Sequence, residues 1–178
     1  MLGFCGQWFP EYAAHLPRYG WQRVPTPAGM THISNLPRQR HSFNSIFLWS
    51  YNPGVTWNVE YTDEFGRWWD TLTEAEQESV DVSVRLLEAM GPELPFPHSS
   101  GVKGSKHGHL RELRVQHAGR PYRILYAFDP KRAAILLVGG DKTGDKRWYE
   151  AHVPVADRLY DEHLKALASE AKKHGKTL

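Results

Sequence analysis

Three strand-like runs separated by short turns constrain the fold of this 178-residue chain more than any other feature. They occupy residues 110–117, 122–128 and 133–139. The two connections between them are four residues long or shorter, and each holds a proline, a residue that favours turns. Connections this short join antiparallel neighbours, so we predict three consecutive antiparallel strands.

The residues before these runs predict one strand and one helix. Apolar side chains at alternate positions from 57 to 61 are typical of a half-buried strand. An apolar stripe with helical spacing follows, and it consists of Phe65, Trp68, Trp69 and Leu72. Thr62 or Asp63 would cap this helix, because a short side-chain oxygen there can accept from a free backbone N–H.

Two further helices are predicted, one before and one after the three strands in the sequence. The first opens with Thr73 and Glu76, spaced as a capping box, and Gly91 ends it. Its buried face would hold Val80, Val84 and Leu87. The last helix is expected from about Pro154, with an apolar face of Leu159, Tyr160, His163, Leu164, Leu167 and Ala171. We expect residues 92–108 to form a loop.

The order strand, two helices, three strands, helix predicts an α+β domain with a small antiparallel or mixed sheet at residues 57–178. We expect helices on one face of the sheet and an open second face. Residues 1–56 contain six prolines and no sustained period, so we interpret them as a loosely structured N-terminal extension. Its run 46–49 could dock on the domain or form a short strand. Equally, the natural start could lie near residue 55.

Charge is distributed unevenly along the chain. Residues 60–97 hold ten Asp and Glu but two Arg, whereas residues 98–147 hold eleven Lys and Arg but four Asp and Glu. The basic half suits a surface that meets nucleic acid. A single cysteine excludes an internal disulfide and agrees with a reducing cytoplasm. We expect neither a secretion signal nor a membrane span, since no long apolar run is present.

Three strings carry a resemblance to a known family. They are L-R-E-L-R at 110–114, P-Y-R-I-L-Y at 121–126 and I-L-L-V-G-G-D-K at 135–142. Together they resemble the RelE/ParE toxin superfamily, and most of all its phage-derived HigB branch, over residues 57–167. The resemblance implies the same order of strands and helices and a toxin of a type II toxin–antitoxin system. Many members cleave mRNA in the ribosomal A site without metal.

The resemblance also implies partners. These would be the ribosome, mRNA and a cognate helix-turn-helix antitoxin, with operator DNA bound only through the toxin–antitoxin complex. No cofactor and no membrane association are expected.

The strand pattern predicts an anion site on the open face of the sheet. Glu112 and Arg114 alternate with apolar neighbours and should therefore point away from the core. Arg123 on the next strand should point the same way. Two adjacent guanidinium groups without enough acids to pair them would bind phosphate.

Metal-free RNA cleavage needs a base for the 2′-hydroxyl, cations at the phosphate and an acid for the leaving 5′-oxygen. Arg114 and Arg123 are the predicted clamps, because an arginine pKa above ~12 excludes a role as base. Lys142 and Lys146, in the turn after the last strand, resemble the basic residues of the family there and could clamp or shuttle a proton. The base could be Glu112, His107 or His109.

Tyr149 resembles in position a family tyrosine that stacks on a nucleobase. Further candidates for substrate binding are Arg111, Lys103, Lys106, Lys146 and Arg147. The chain departs from the RelE pattern, which has lysines where this strand offers Glu112 and Arg114, and this departure leaves the acid and the base open.

Other interpretations compete with the nuclease site. Arg114 and Arg123 could pair with Glu112 and Asp141 in a surface network. Tyr149 and Trp148 could pack the last helix onto the sheet. The chain has ten histidines but neither a His-Glu-x-x-His motif nor paired cysteines, so no metal site is predicted. The alternative function is that of a ParE-like protein that inhibits DNA gyrase by protein binding, or of a detoxified interaction module.

Overall fold

The computed structural model describes residues 57–174 and the segment Gln22–Arg23. The strands are β1 (Gln22–Arg23), β2 (Asn58–Tyr61), β3 (Ser99–Gly101), β4 (Arg111–His117), β5 (Arg120–Phe128) and β6 (Ala133–Asp141). The helices are α1 (Asp63–Trp69), α2 (Glu74–Met90) and α3 (Trp148–His174), with a 3-10 turn at Gly91–Glu93. The predicted α+β class is confirmed.

One mixed sheet with the strand order β1-β2-β6-β5-β4-β3 forms the centre of the described chain. β1, β2 and β6 run parallel, and the remaining neighbours are antiparallel. The predicted run of three antiparallel strands, β4 to β6, is confirmed. Of the predicted extension, only β1 is described, and the run 46–49 lies outside the described residues.

The loop expected at residues 92–108 contains the short edge strand β3, which the sequence analysis missed. β3 has the sequence Ser-Ser-Gly and therefore carries no alternating apolar side chains. It forms because β4 offers it an unpaired edge, with Ser100 opposite Glu112. The pairing partner, rather than local sequence preference, defines this strand.

The ends of the first two helices follow the sequence signals. Thr62 accepts from the backbone N–H of Phe65 at 3.3 Å and caps α1. The capping box of Thr73 and Glu76 opens α2. Gly91 ends α2 with a φ of 55°, a left-handed conformation that glycine adopts at low cost.

The expected open face is wrong, because helices cover both faces of the sheet. α1 and α2 bury one core, whose largest fully buried members are Phe65, Leu87, Leu94, Leu113, Tyr122, Ile124, Tyr126 and Leu136. α3 buries a second core against the other face, and it includes Leu110, Leu125, Ile135, Leu137, Trp148 and Leu159. Every position of β6 from 133 to 140 is consequently buried.

The start of α3 is a second correction, since the helix begins at Trp148 and not near Pro154. The Trp148 side chain is fully buried and lies on Gly140, where an added Cβ would come within 2.8 Å of the indole nitrogen. Pro154 removes one helical hydrogen bond, but burial of Trp148 and Val153 holds the preceding turn in place. None of the helices in the described residues is long and apolar enough to cross a membrane.

Glu76 connects α2 to the sheet through three partners. Its carboxylate accepts from the Tyr122 hydroxyl at 2.5 Å, from Arg120 at 2.7 Å and from Thr73 at the helix cap. The Tyr122 hydrogen bond, followed by those of Thr73, lowers the pKa of Glu76 to about 2. Burial and the same carboxylate raise the pKa of Tyr122 to about 12.

We predict that Gly139→Ala destabilises the fold, because its Cβ would lie 2.0–2.6 Å from the indole ring of Trp68. Overpacking of this kind costs about 1–3 kcal/mol or more. Urea denaturation measures the free energy of unfolding. Gly101→Ala is the matched control, since no atom lies within 4 Å of its Cβ. Equal stability of the two variants would contradict the packing argument.

We also predict that acid removes the contribution of Glu76 to stability. Because the folded-state pKa is lowered, this contribution is complete above the usual glutamate pKa and is lost as the pH falls towards about 2. Urea denaturation at pH 7, 4 and 3 should therefore show a stability difference between wild type and Glu76→Gln that shrinks with falling pH. Glu78→Gln, at an exposed position of α2, is the control. A difference that is constant with pH would refute the linkage.

Candidate functional site

One cluster of polar side chains lies where β4, β5, the turn after β6 and the first turn of α3 meet. We define the Glu112 cluster as Glu112, Ser100, Arg114, Arg123, Lys142 and Tyr149. The cluster joins residues that are up to 49 positions apart in the sequence.

The strand register brings the two arginines together. Arg114 on β4 pairs directly with Arg123 on β5, which in turn pairs with Gly140 on β6. Leu113 and Ile124 point into the core under α1 and α2, so both arginines point to the α3 side. Like charges directly opposite each other on neighbouring strands are unfavourable unless an acid compensates them.

Glu112 supplies the compensating charge, and its side chain is only 6% exposed. Oε2 accepts from the Tyr149 hydroxyl at 2.5 Å and lies 3.6 Å from Nε of Arg123. Oε1 accepts from the Ser100 hydroxyl at 2.8 Å and lies 4.0 Å from Nε of Arg114. The carboxylate therefore orients both guanidinium groups and the tyrosine.

Arg123 is buried, and the expectation that it points to an open face is wrong. Its side chain is 7% exposed, because the start of α3 covers this part of the sheet. Nη1 donates to the carbonyl of Tyr122 at 2.8 Å. Nε is buried and has no hydrogen-bond partner among the described residues. An unsatisfied buried donor costs about 1–3 kcal/mol, so its retention calls for an explanation.

Arg114 and Lys142 are the accessible cations of the cluster. The Arg114 side chain is 30% exposed, and Lys142 is half-buried. The Lys142 ammonium lies 5.4 Å from the ring centroid of Tyr149. Its backbone N–H donates to the carbonyl of Pro121, which fixes the turn after β6.

The charge balance of the cluster favours an anion. Among the described residues, the cluster holds three cationic groups and one carboxylate, which leaves two positive charges in excess. Two of the cations, Arg114 and Lys142, are partly exposed and could each bind an anionic group.

Tyr149 has a raised pKa, first because it is partly buried and second because it donates to Glu112. It therefore keeps its proton at neutral pH and remains a hydrogen-bond donor. Its ring also lies edge-on to Trp148, with centroids 5.2 Å apart. Tyr149 thus both packs α3 and belongs to the cluster, whereas Trp148 belongs to the core.

The structure does not bring the predicted histidines to this cluster. His107 lies 2.9 Å from a carboxylate oxygen of Asp161, and His109 lies 3.1 Å from the Tyr160 hydroxyl. These partners are eleven and twelve residues beyond Tyr149 on α3, or roughly 17–18 Å along the helix axis. In residues 57–174, no three His, Cys, Asp or Glu side chains lie together as a metal ion would require.

The other predicted binding residues are placed around the domain rather than in the cluster. Lys106 forms an ion pair with Asp161. Arg147 pairs with the neighbouring Glu150. Lys103 and Lys146 are exposed.

Arg111 lies on the opposite face of the sheet from Glu112. It donates to the Leu94 carbonyl at 3.1 Å, to the Ser99 hydroxyl at 3.1 Å and to the Tyr126 hydroxyl at 3.2 Å. Ser99 and Tyr126 also bond to each other at 2.7 Å. Arg111 therefore anchors the segment between α2 and β4.

Arg114 and Arg123 both face Glu112, as the competing interpretation expected, but the contact with Arg123 is buried and not at the surface, and Asp141 takes no part in it. Asp141 accepts from Arg120 at 2.8 and 3.0 Å, on the side of the sheet that carries Glu76. Hydrogen bonds from Thr143 and Arg120 outweigh burial and lower its pKa. Asp141 therefore remains charged and stays paired with Arg120.

Sequence reasoning missed two contacts of the site, Ser100 and Phe96. Both lie in the segment assigned to a loop. The guanidinium of Arg114 lies over the Phe96 ring, 5.1 Å from its centroid. A phenylalanine between two prolines was the one local signal, and it gives no indication of a contact with β4.

The chain is similar to known proteins over the region that contains the whole cluster. Residues 67–161 match the family described as Phage derived protein Gp49-like. A Mycobacterium tuberculosis (strain ATCC 25618 / H37Rv) protein named "Putative toxin HigB3" is 43% identical over 110 residues, which are 61% of this chain and 90% of the relative. A second protein of that organism, "Putative toxin HigB2", is 38% identical over 112 residues, which are 62% of this chain and 55% of the relative. No solved structure matches.

We predict that Glu112→Gln lowers the pKa of Tyr149. Burial raises this pKa most, and the hydrogen bond to the Glu112 carboxylate and its negative charge raise it further, so removal of the charge should reduce the total elevation. The measurement is a pH titration by NMR of protein labelled at tyrosine Cζ, with Tyr149→Phe to assign the signal. Tyr160, whose pKa is raised by burial and by Asp129, is the internal control. An unchanged Tyr149 titration would show that the contact is absent in solution.

Proposed function

Because the chain belongs to the phage-derived Gp49-like family, with relatives named HigB toxins, we propose that it is the mRNA-cleaving toxin of a type II toxin–antitoxin system and acts on the ribosome. The observation that carries the proposal is the Glu112 cluster, with two accessible cations beside a buried third. RNA cleavage without a metal depends on such positive charge at the scissile phosphate.

Arg114 and Lys142 would contact the phosphate. They come from different elements, β4 and the turn after β6, so they can hold two oxygens of one phosphate from two directions. Arg123 would act from beneath, because a buried positive charge is poorly screened by water and raises the potential at the surface above it. Its buried Nε lies 3.6 Å from the Glu112 carboxylate, which keeps the guanidinium in this position.

Glu112 suits a positioning role better than that of general base. Both of its oxygens already accept hydrogen bonds, from Tyr149 and from Ser100, and both face a guanidinium group. A 2′-hydroxyl would have to displace these donors to reach a carboxylate that is almost fully buried. Of the three candidate bases, Glu112 is nevertheless the one that lies in the cluster, since His107 and His109 contact Asp161 and Tyr160.

The reaction that fits this set is attack of the 2′-oxygen on the adjacent phosphorus with departure of the 5′-oxygen. Lys142 carries an ammonium that can give a proton to the leaving oxygen. The described side-chain contacts of the cluster involve neither an imidazole nor a second carboxylate, so the 2′-hydroxyl proton would pass to water or to a group of the ribosome. This division of roles agrees with cleavage that depends on the ribosome.

The partners follow from the same proposal. A cognate helix-turn-helix antitoxin would inhibit the toxin, and the pair would bind operator DNA through the antitoxin. The accessible cations of the Glu112 cluster are the groups that such an inhibitor would have to cover or displace.

We predict that Arg114→Ala and Lys142→Ala each reduce mRNA cleavage in a translating extract by about 10²–10³-fold, the effect of losing one group that stabilises the transition state. Primer extension on a reporter mRNA measures the cleavage. Lys131→Ala is the control, because Lys131 lies in the turn between β5 and β6, outside the cluster, and pairs with Glu170 of α3. Wild-type cleavage by both folded cluster variants would reject the site. Inhibition of DNA supercoiling with intact mRNA would favour the gyrase alternative.

A further inference from the structure

Phe96 is the most exposed large apolar residue of the described chain, at 69%, ahead of Val82 at 55% and Met90 at 41%. It lies between the 3-10 turn and β3. Val82 and Met90 belong to α2, whereas Phe96 is next to the Glu112 cluster.

The backbone around Phe96 is fixed on both sides, so its exposure is built into the fold. On one side Leu94 is buried, and its carbonyl accepts from Arg111. On the other side the carbonyl of His98 accepts from the backbone N–H of Arg114 at 2.8 Å. These two anchors hold the backbone on either side of the ring in place.

Contacts lead from Phe96 into the proposed site. The Arg114 guanidinium lies 5.1 Å from the ring centroid, within the range of a cation–π interaction. The same guanidinium faces Glu112, which binds Tyr149. Two aromatic rings therefore border the accessible cations, Phe96 at Arg114 and Tyr149 at Lys142.

We propose that Phe96 is a stacking platform for a nucleobase of the RNA, adjacent to the nucleotide whose phosphate lies on Arg114. The proposal rests on the proposed function. Arg114 occupies one face of the ring, which leaves the opposite face for a base. An exposed, rigidly held ring beside a phosphate-binding cation is the combination with which proteins bind single-stranded RNA.

A protein partner such as the antitoxin is the competing occupant. One isolated ring offers little of the roughly 800 Å² that each side of a stable protein interface buries. A single base needs one ring only. The charge beside Phe96 also favours an anionic ligand, since Arg114 and Lys142 are not fully neutralised.

The test compares Phe96→Leu, which keeps an apolar side chain without a ring, with Phe96→Trp, which keeps a ring. Val82→Ala is the control at an exposed apolar position remote from the cluster. Fluorescence anisotropy with the full chain and a short single-stranded RNA gives Kd, and ribosome-dependent cleavage gives KM and kcat. We expect Phe96→Leu to raise Kd and KM about 5- to 150-fold with little change in kcat. Phe96→Trp should restore both constants.

The outcomes separate the stacking proposal from the function on which it rests. If the wild type cleaves mRNA and Phe96→Leu matches it in Kd and KM, stacking is rejected while the function stands. If the wild type binds RNA without cleaving it, the function is rejected. Stacking is then supported if Phe96→Leu has a higher Kd than the wild type, and rejected if the two Kd values are equal. If the wild type neither binds the RNA nor cleaves mRNA on the ribosome, both fall. Unchanged RNA binding with weakened inhibition by the antitoxin would assign Phe96 to the protein partner instead.

Discussion

The ion cluster around the Glu112 carboxylate is the interaction on which the proposed site depends. The register of β4 and β5 places two guanidinium groups side by side, one of them buried, and this arrangement is costly without a negative charge. Glu112 provides that charge and also binds the first turn of α3 through Tyr149. A single carboxylate thus holds two strands and a helix in the relative positions that the proposed chemistry needs.

The packing of α3 decides how much of the cluster reaches solvent. The Trp148 side chain packs against the backbone at Gly140, a close approach that leaves no room for a Cβ. This contact brings the next residue, Tyr149, within hydrogen-bonding distance of Glu112 and close to Lys142. Arg123 is buried as a result, and the accessible surface of the site reduces to Arg114, Lys142 and the two neighbouring aromatic rings.

A second polar network keeps the first one positively charged. Arg120 engages both Glu76 and Asp141 on the side of the sheet that carries α2. Asp141 directly precedes Lys142 in sequence, yet its charge is committed to Arg120. The excess of acid in the helices and the excess of base around Arg114 consequently remain separate, which suits a surface that binds an anion on one side only.

The sequence by itself determined the local structure: three antiparallel strands, the capping box at Thr73, and the apolar face of α2. These features follow from side-chain period and backbone preference, which short segments express without a partner. The tertiary structure decided the rest, namely strand β3, the covered second face, the burial of Arg123 and the contact of Phe96 with Arg114. Each of these depends on which distant segment supplies the opposing charge or the packing surface, and no local pattern specifies that choice.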